Sequence, residues 1–212
     1  MNLALIEVEA MAKKAARGAG YSWGIAEEAA KATRWLCAAG FDGVATLAKV
    51  LQTVDGQDLA TMTPSALGGD WQGSSDTLCP LATGAALSDG AVFWAEAGKT
   101  ASNVIAPLLL LPFAANAALQ LGRPVTLSWQ GAQLVTDGQS VSGPSSLVTP
   151  DQQKTVQVQL GGKIIDTTPT RLRATPSDAD WATLERFAHR TYAPDTEESR
   201  LKGAGAGLSD ND

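Results

Sequence analysis

Few side chains in this sequence can do acid–base, nucleophilic or metal chemistry. His189 is the single histidine, and imidazole is the side chain whose ordinary pKa lies nearest neutrality. Its position puts it on the flank of a helix, one residue off the apolar stripe. Cys37 and Cys79 lie far apart and form no CxxC pair. A structural zinc site takes about four Cys or His ligands, and the chain holds Cys37, Cys79 and His189 alone, so no metal is expected. Both thiols read as reduced and buried. A Ser–His–Asp triad is open on residue types, but no nucleophile-elbow pattern is present. Asp210, Asn211 and Asp212 gather oxygens without the spacing of a calcium loop or its closing Glu.

Two glycine-rich segments have more to offer. Arg17-Gly18-Ala19-Gly20-Tyr21-Ser22-Trp23-Gly24 opens onto a helix start, where backbone N–H groups and the helix dipole favour an anion. The same residues read first as a tight joint between two helices, with an anion pocket using Arg17 as the alternative. The dinucleotide spacing G-x-G-x-x-G is missing and no strand precedes the segment, so nucleotides are not expected. Near the other end, Gly203, Gly205 and Gly207 alternate with alanine after Tyr192, Pro194, Ser199 and Arg200. No Gly-Lys-Ser/Thr follows, so this is no Walker loop. A mobile tail, an ordered arm on a partner subunit and a lid over a ligand all fit it. The candidate ligand-binding set is Arg17, Gly18, Gly20, Tyr21, Trp23, Tyr192, Ser199, Arg200, Gly203 and Gly205, for a small anionic ligand. No cofactor is expected.

The elements that must position these residues begin with a helical head over 1–52. Asn2 is placed to cap a first helix with Leu5, Val8, Ala12 and Ala15 on one stripe, and Glu9 stands four residues before Lys13. Ser22 caps a second, with Ile25, Ala29, Ala32 and Leu36 inward. Its wet face carries Glu27, Glu28, Lys31 and Arg34, with Glu27 spaced to pair with Lys31. Asp42 caps a third, with Val44, Leu47, Val50 and Leu51 inward. Residues 52–90, rich in Gly, Thr, Ser, Pro and Asp, read as an irregular excursion anchored by Trp71 and Leu78, with a turn at Asp89-Gly90.

A sheet region is expected over 90–175. Ala91–Ala95 reads as a strand, and Leu108–Leu111 as a buried strand or extended run. Pro112 suits a helix start, with Phe113–Leu121 helical and Gly122 its stop. Period-two alternation then takes over at Val125, Leu127 and Trp129 and again at Val156, Val158 and Leu160. Asp137-Gly138 marks one hairpin, and Gly161-Gly162 another that returns through Ile164 and Ile165. Leu172 and Ala174, alternating with Arg171 and Arg173, add a further strand. A helix over 177–192 buries Trp181, Leu184, Ala188 and Thr191, and 193–212 is a Gly-rich C-terminal arm. The fold class is α+β: an N-terminal three-helix head packed with a mostly antiparallel sheet and a C-terminal helix, one domain over 1–212.

Composition limits the partners. Apolar residues make up 44% and the net charge is −6, with no basic stripe for nucleic acid. Glu7 and Glu9 interrupt any signal-peptide core, and the apolar run 104–115 is too short for a membrane span and broken by Pro107 and Pro112. Localisation is therefore expected to be cytoplasmic. Residues 61–150 hold only two basic and five acidic side chains. So charge-poor a stretch must be covered by the rest of the chain or by another subunit, which makes self-association an expectation.

Arg17-Gly18-Ala19-Gly20-Tyr21-Ser22-Trp23-Gly24, Arg190-Thr191-Tyr192-Ala193-Pro194, Ser199-Arg200-Leu201 and Gly203–Gly207 together resemble an uncharacterised bacterial domain-of-unknown-function family, over the full length. That resemblance implies no activity and transfers no catalytic residue. Gly40-Phe41-Asp42-Gly43-Val44-Ala45-Thr46-Leu47 also resembles the malate/L-lactate dehydrogenase-like NAD(P)H oxidoreductases, whose motif is Gly-x-Asp-Ser-His-Gly-Val-Ala-x-Leu. The Ser-His pair is absent here, so the resemblance implies a relative without that acid–base machinery. The expected function is a non-catalytic binding or assembly protein that forms homo-oligomers. The alternative is a small-molecule enzyme acting on an anionic metabolite.

Overall fold

The computed structural model describes residues 1–66, 68–144, 152–167 and 169–192. The head forms as its sequence suggests, with α1 (Leu5–Gly18), α2 (Trp23–Ala38) and α3 (Gly43–Val54). Ser22 Oγ accepts from the Ile25 N–H at 3.4 Å, and Asp42 Oδ1 accepts from the Ala45 N–H at 3.0 Å. These caps satisfy amides that a helix N-terminus leaves open. Val8, Ala12, Ala15, Ala29, Ala32 and Leu36 are buried, and the small alanines let α1 and α2 pack closely.

Asn2 does not cap α1. Leu3–Ala4 is a short strand, β1, and the Asn2 side chain accepts instead from Arg173 Nε at 2.8 Å. Nor do the helical charges pair as their spacing suggests. Glu9 reaches across to Arg34 and Lys13 across to Glu27, at 2.8 and 2.7 Å, so both pairs tie α1 to α2. Lys31 pairs with Glu28 at 2.8 Å rather than with Glu27.

The excursion over 52–90 contains a 3₁₀ turn at Leu59–Met62 and a helix, α4 (Pro80–Asp89), that composition had hidden. Helix α4 buries Leu81, Thr83, Gly84, Leu87 and Ser88, so it is covered on several sides and shows no amphipathic stripe. Trp71 and Leu78 do anchor the excursion, each bridging to the strand β2 (Lys99–Ile105). Residues Ala91–Trp94 form a short helix, α5, not a strand. Trp94 is buried and donates from Nε1 to the Leu87 carbonyl at 2.8 Å, which holds α5 against the end of α4.

The leucine run is not extended either. Pro107–Leu110 is a 3₁₀ turn that leads directly into α6 (Leu111–Leu121), closed by Gly122 at φ +61°. All four leucines, 108 to 111, are buried within this chain.

The main sheet is antiparallel with strand order β2-β6-β3-β4-β5, where β3 is Val125–Trp129, β4 Ala132–Thr136, β5 Val141–Ser142 and β6 Gln152–Leu160. Leu127 faces Val158 and Trp129 faces Val156, all turned to the core. The other face carries a cross-strand row of neutral polar residues, Thr100, Gln157, Ser128 and Gln133. The 137–138 hairpin forms, joining β4 to β5. The return through Ile164 and Ile165 does not, because β2 and β3 already occupy both edges of β6. The alternation at 171–174 also yields little sheet. Only β7 (Arg173–Ala174) is a strand, it pairs with β1, and Leu172 is 81% exposed.

Helix α7 (Asp178–His189) is capped by Ser177, whose Oγ accepts from the Asp180 N–H at 3.1 Å. It buries Trp181, Leu184, Phe187 and Ala188, while Thr191 lies outside the buried face. It packs on α1 and α3, making the head four-helical; the sheet is covered by α6. Helix α4 lies against α6 and touches α2, so one connected apolar cluster runs from the head to the sheet.

Candidate functional site

The loop from α1 to α2 brings together five of the expected site residues. Gly18 lies against the backbone of α7, where a Cβ would come within 1.7 Å of the Phe187 carbonyl oxygen. Gly20 adopts φ +98°, which turns the chain. Tyr21 is buried, and its hydroxyl lies 3.2 Å from Cys79 Sγ. Arg17 donates to the Tyr21 carbonyl and stacks over the exposed Trp23 ring, 4.5 Å from its centre. The Tyr21 amide donates to the Ala16 carbonyl and the Gly20 amide to that of Arg17. The guanidinium and these amides are thus engaged inside the joint between the two helices.

Tyr192 is exposed beyond α7, edge-on to His189 at 5.1 Å. His189 is exposed on the helix flank, as its position suggests. Ser199, Arg200, Gly203 and Gly205, with the rest of the 193–212 arm, lie outside the described residues. Cys37 and Cys79 are free and buried. Burial pushes both thiols up from their ordinary pKa, and it pushes the Tyr21 phenol up as well. Among the described residues, no three His, Cys, Asp or Glu side chains group to hold a metal ion, and no helix is long and apolar enough to cross a membrane.

A larger concavity begins at Ser22, on the far side of the same loop. It is a groove of about 780 Å³ between α2, α4 and α6. Gly24, Glu27, Glu28 and Lys31 line it from α2, Ala85, Ser88 and Asp89 from α4, and Phe113, Asn116, Leu119 and Gln120 from α6. Spacings of three and four keep each set on one helix face. Where three packed helices would normally meet through apolar residues, these faces are half polar.

Three carboxylates and one ammonium line this groove. The Lys13 ammonium holds the Glu27 carboxyl below its ordinary range, and the Glu28 carboxylate raises Lys31. The Asp89 side chain makes no hydrogen bond or ion pair among the described residues, although it is the last residue of α4, where the helix dipole disfavours an acid. Gln120 Nε2 donates to the Ser88 carbonyl at 3.2 Å and to Ser88 Oγ at 3.3 Å, bridging α6 to α4. From sequence, Glu27, Glu28 and Lys31 read only as a wet face. The one local signal on the opposite wall was Asn116 and Gln120, four apart in an otherwise Ala- and Leu-rich helix.

Seven helices, one of them the single-turn α5, and a five-stranded antiparallel sheet among the described residues define an α+β protein. Residues 3–75 match a family described as "Protein of unknown function (DUF3726)". That segment holds β1, the three head helices and the loop through Trp71, which is about a third of the chain and not its full length. The resemblance to an uncharacterised family is therefore real over this segment. The dehydrogenase-like resemblance finds no support. No curated protein and no solved structure matches the chain.

Proposed function

We propose that this chain is a non-catalytic binding or assembly protein of the bacterial cytoplasm that self-associates. The observation that carries the reading is the pair Val92 and Phe93 on α5, 68% and 86% exposed. Adjacent large apolar side chains held open to solvent mark an interaction surface. Glu96 is the single charged residue between Gly90 and Gly98, which matches the charge depletion at the centre of an interface. This chain itself buries Leu108–Leu111, the most apolar part of the charge-poor stretch, so the oligomer reading rests on α5.

A symmetric pair of α5 surfaces is self-complementary, as a two-fold dimer requires. Sedimentation velocity at micromolar concentration is expected to show a species of twice 21.9 kDa. The Val92→Ser/Phe93→Ser double variant is expected to sediment as the monomer with an unchanged circular-dichroism spectrum. A wild-type protein that stays monomeric across that range overturns the reading.

A further inference from the structure

We infer that the groove between α2, α4 and α6 seats the Val92–Phe93 turn of a second copy of this chain, reciprocally, each chain giving its turn to the other's groove. The inference rests on the self-association proposed above and names what α5 meets in the partner. The turn is built as a fixed projection. Ala91 and Trp94 take its inward positions, both buried, and the bond from Trp94 Nε1 to the Leu87 carbonyl at 2.8 Å ties it to α4. Val92 and Phe93 are thereby held outward. An aromatic anchor preset in this way enters a partner's pocket at little conformational cost.

The groove has the complementary features. Leu119 is 54% exposed within it, with the half-buried Ile25 and Ala85 and the buried Phe113 ring in the same lining, so an apolar occupant covers apolar surface there. Its volume of about 780 Å³ lies in the range of pockets that enclose a whole small molecule, which leaves room for these two side chains. Two of its three acids are already paired, Glu27 with Lys13 at 2.7 Å and Glu28 with Lys31 at 2.8 Å, so covering them strands no charge. Asp89 is exposed and stays at the rim. The entering segment carries one charged residue, Glu96, so it meets these acids with little repulsion.

Projection and recess also stand next to each other. Asp89 ends α4 in the groove lining, and α5 begins two residues further on. Four Cα–Cα steps put Phe93 at most about 15 Å from Asp89. A projection beside its recess is what a two-fold axis between them needs. Rotation about that axis lays each projection over the other chain's recess, and the contact closes on itself as a dimer. A projection remote from its recess would build an open filament instead.

The test is sedimentation velocity of full-chain variants altered in the groove and not on α5. Asn116 is exposed on the α6 wall, and Ala85 lines the α4 wall. Asn116→Trp fills the groove, and Ala85→Glu puts an unpaired charge in it. Each is expected to weaken self-association by about thirtyfold or more, the scale of one lost aromatic anchor, with an unchanged circular-dichroism spectrum. Mixing supplies the second measurement. The Val92→Ser/Phe93→Ser chain keeps its groove and the Asn116→Trp chain keeps its turn, so one seat of the two survives in a mixed pair. The two variants, monomeric when alone, are expected to form a one-to-one dimer when mixed, weaker than that of the wild type. A wild-type dimer that neither groove variant weakens, or a mixture that stays monomeric, overturns this inference and leaves the self-association standing. A monomeric wild type overturns both, so the two failures are separable.

Discussion

Gly18 of α1 and the Phe187 carbonyl of α7 approach so closely that a Cβ on the glycine would lie 1.7 Å from the oxygen and 2.7 Å from its carbon. The obstacle is backbone, so no rotamer change relieves it. Gly18→Ala is expected to destabilise by about 3 kcal/mol, at the upper end for overpacking, which lowers the melting temperature by roughly 6–12 °C in a chain of this size. Gly24, at the start of α2, meets nothing within 4 Å. Gly24→Ala is expected to stabilise by about 0.5–1 kcal/mol, because alanine restricts the unfolded chain and favours the helix. Thermal melts of the two variants check both signs. A melting temperature for Gly18→Ala within 2 °C (about 0.5–1 kcal/mol) of wild type contradicts the close packing of α1 on α7.

Asp55 and Arg190 form a two-pronged ion pair at 2.6 and 2.9 Å, joining the end of α3 to the end of α7. Hydrogen bonding from the Arg190 guanidinium holds the Asp55 carboxyl below its ordinary value of 3.8. A carboxyl lowered on folding stabilises the native state above its unfolded pKa and loses that contribution as the pH falls through its folded value. The stability difference between wild type and Asp55→Asn is therefore expected to be constant and positive at pH 5–6, then to shrink below about pH 4. Raised salt is expected to reduce it as well, since both groups are exposed. A difference that grows on acidification contradicts the assignment.

The head was legible in sequence because its signals are local. Ser22 and Asp42 cap the helices they precede, and Val44, Leu47, Val50 and Leu51 repeat at helical spacing toward the core. The alternation of Val125, Leu127 and Trp129 likewise marked a half-buried strand. What misled was burial on all sides. Helix α4 and the Pro107–Leu110 turn bury residues on several sides, so no apolar stripe marks them, and Val92–Trp94 has a strand composition inside a helical turn fixed by the Trp94–Leu87 bond. Strand β2 sits beside β6 across some fifty residues, a pairing no local pattern encodes. The groove has the same origin. Its lining comes from three helices distant in sequence, whereas the Gly18–Gly24 loop, which local spacing did single out, is a joint at the groove's mouth.

Tyr21 and Cys79 form a buried polar pair, and burial raises both the phenol and the thiol above their ordinary values of 10.0 and 9.0. Cys37 is raised by burial too. The native protein is therefore expected to show no reaction with a thiol reagent at pH 8, and both cysteines are expected to react after unfolding. Groups whose pKa rises on folding stabilise the native state below their unfolded values. Above about pH 9 the unfolded chain gives up protons that the native chain retains, so stability is expected to fall with rising pH. Tyr21→Phe is expected to cost about 1 kcal/mol near neutrality, for the lost partner of Cys79, and to flatten the alkaline limb above pH 10. An equally steep limb in that variant contradicts the burial of the phenol.

Thr83, in the middle of α4, makes the opposite prediction. Its Oγ1 is buried and has no hydrogen-bond partner among the described residues, although the hydroxyl is four residues beyond the Cys79 carbonyl that its own backbone amide already uses. Valine has nearly the same shape and a similar helix propensity. Substitution replaces an unsatisfied hydroxyl with a methyl group in a site that is 1% exposed. Leaving a buried polar group unpaired costs about 1–3 kcal/mol, so Thr83→Val is expected to raise stability by about 1 kcal/mol. Neighbouring Gly84, where a Cβ would meet the Phe113 ring at 2.2 Å, supplies the contrast. Gly84→Ala is expected to lose about 1–3 kcal/mol, and most of that loss is expected to return when Phe113→Leu is added, because the three nearest atoms all belong to the ring. Urea denaturation of the three variants separates the cases. A Thr83→Val protein less stable than wild type would mean that the hydroxyl has a partner, and that the core around α4 is wetter than its packing against α6 shows.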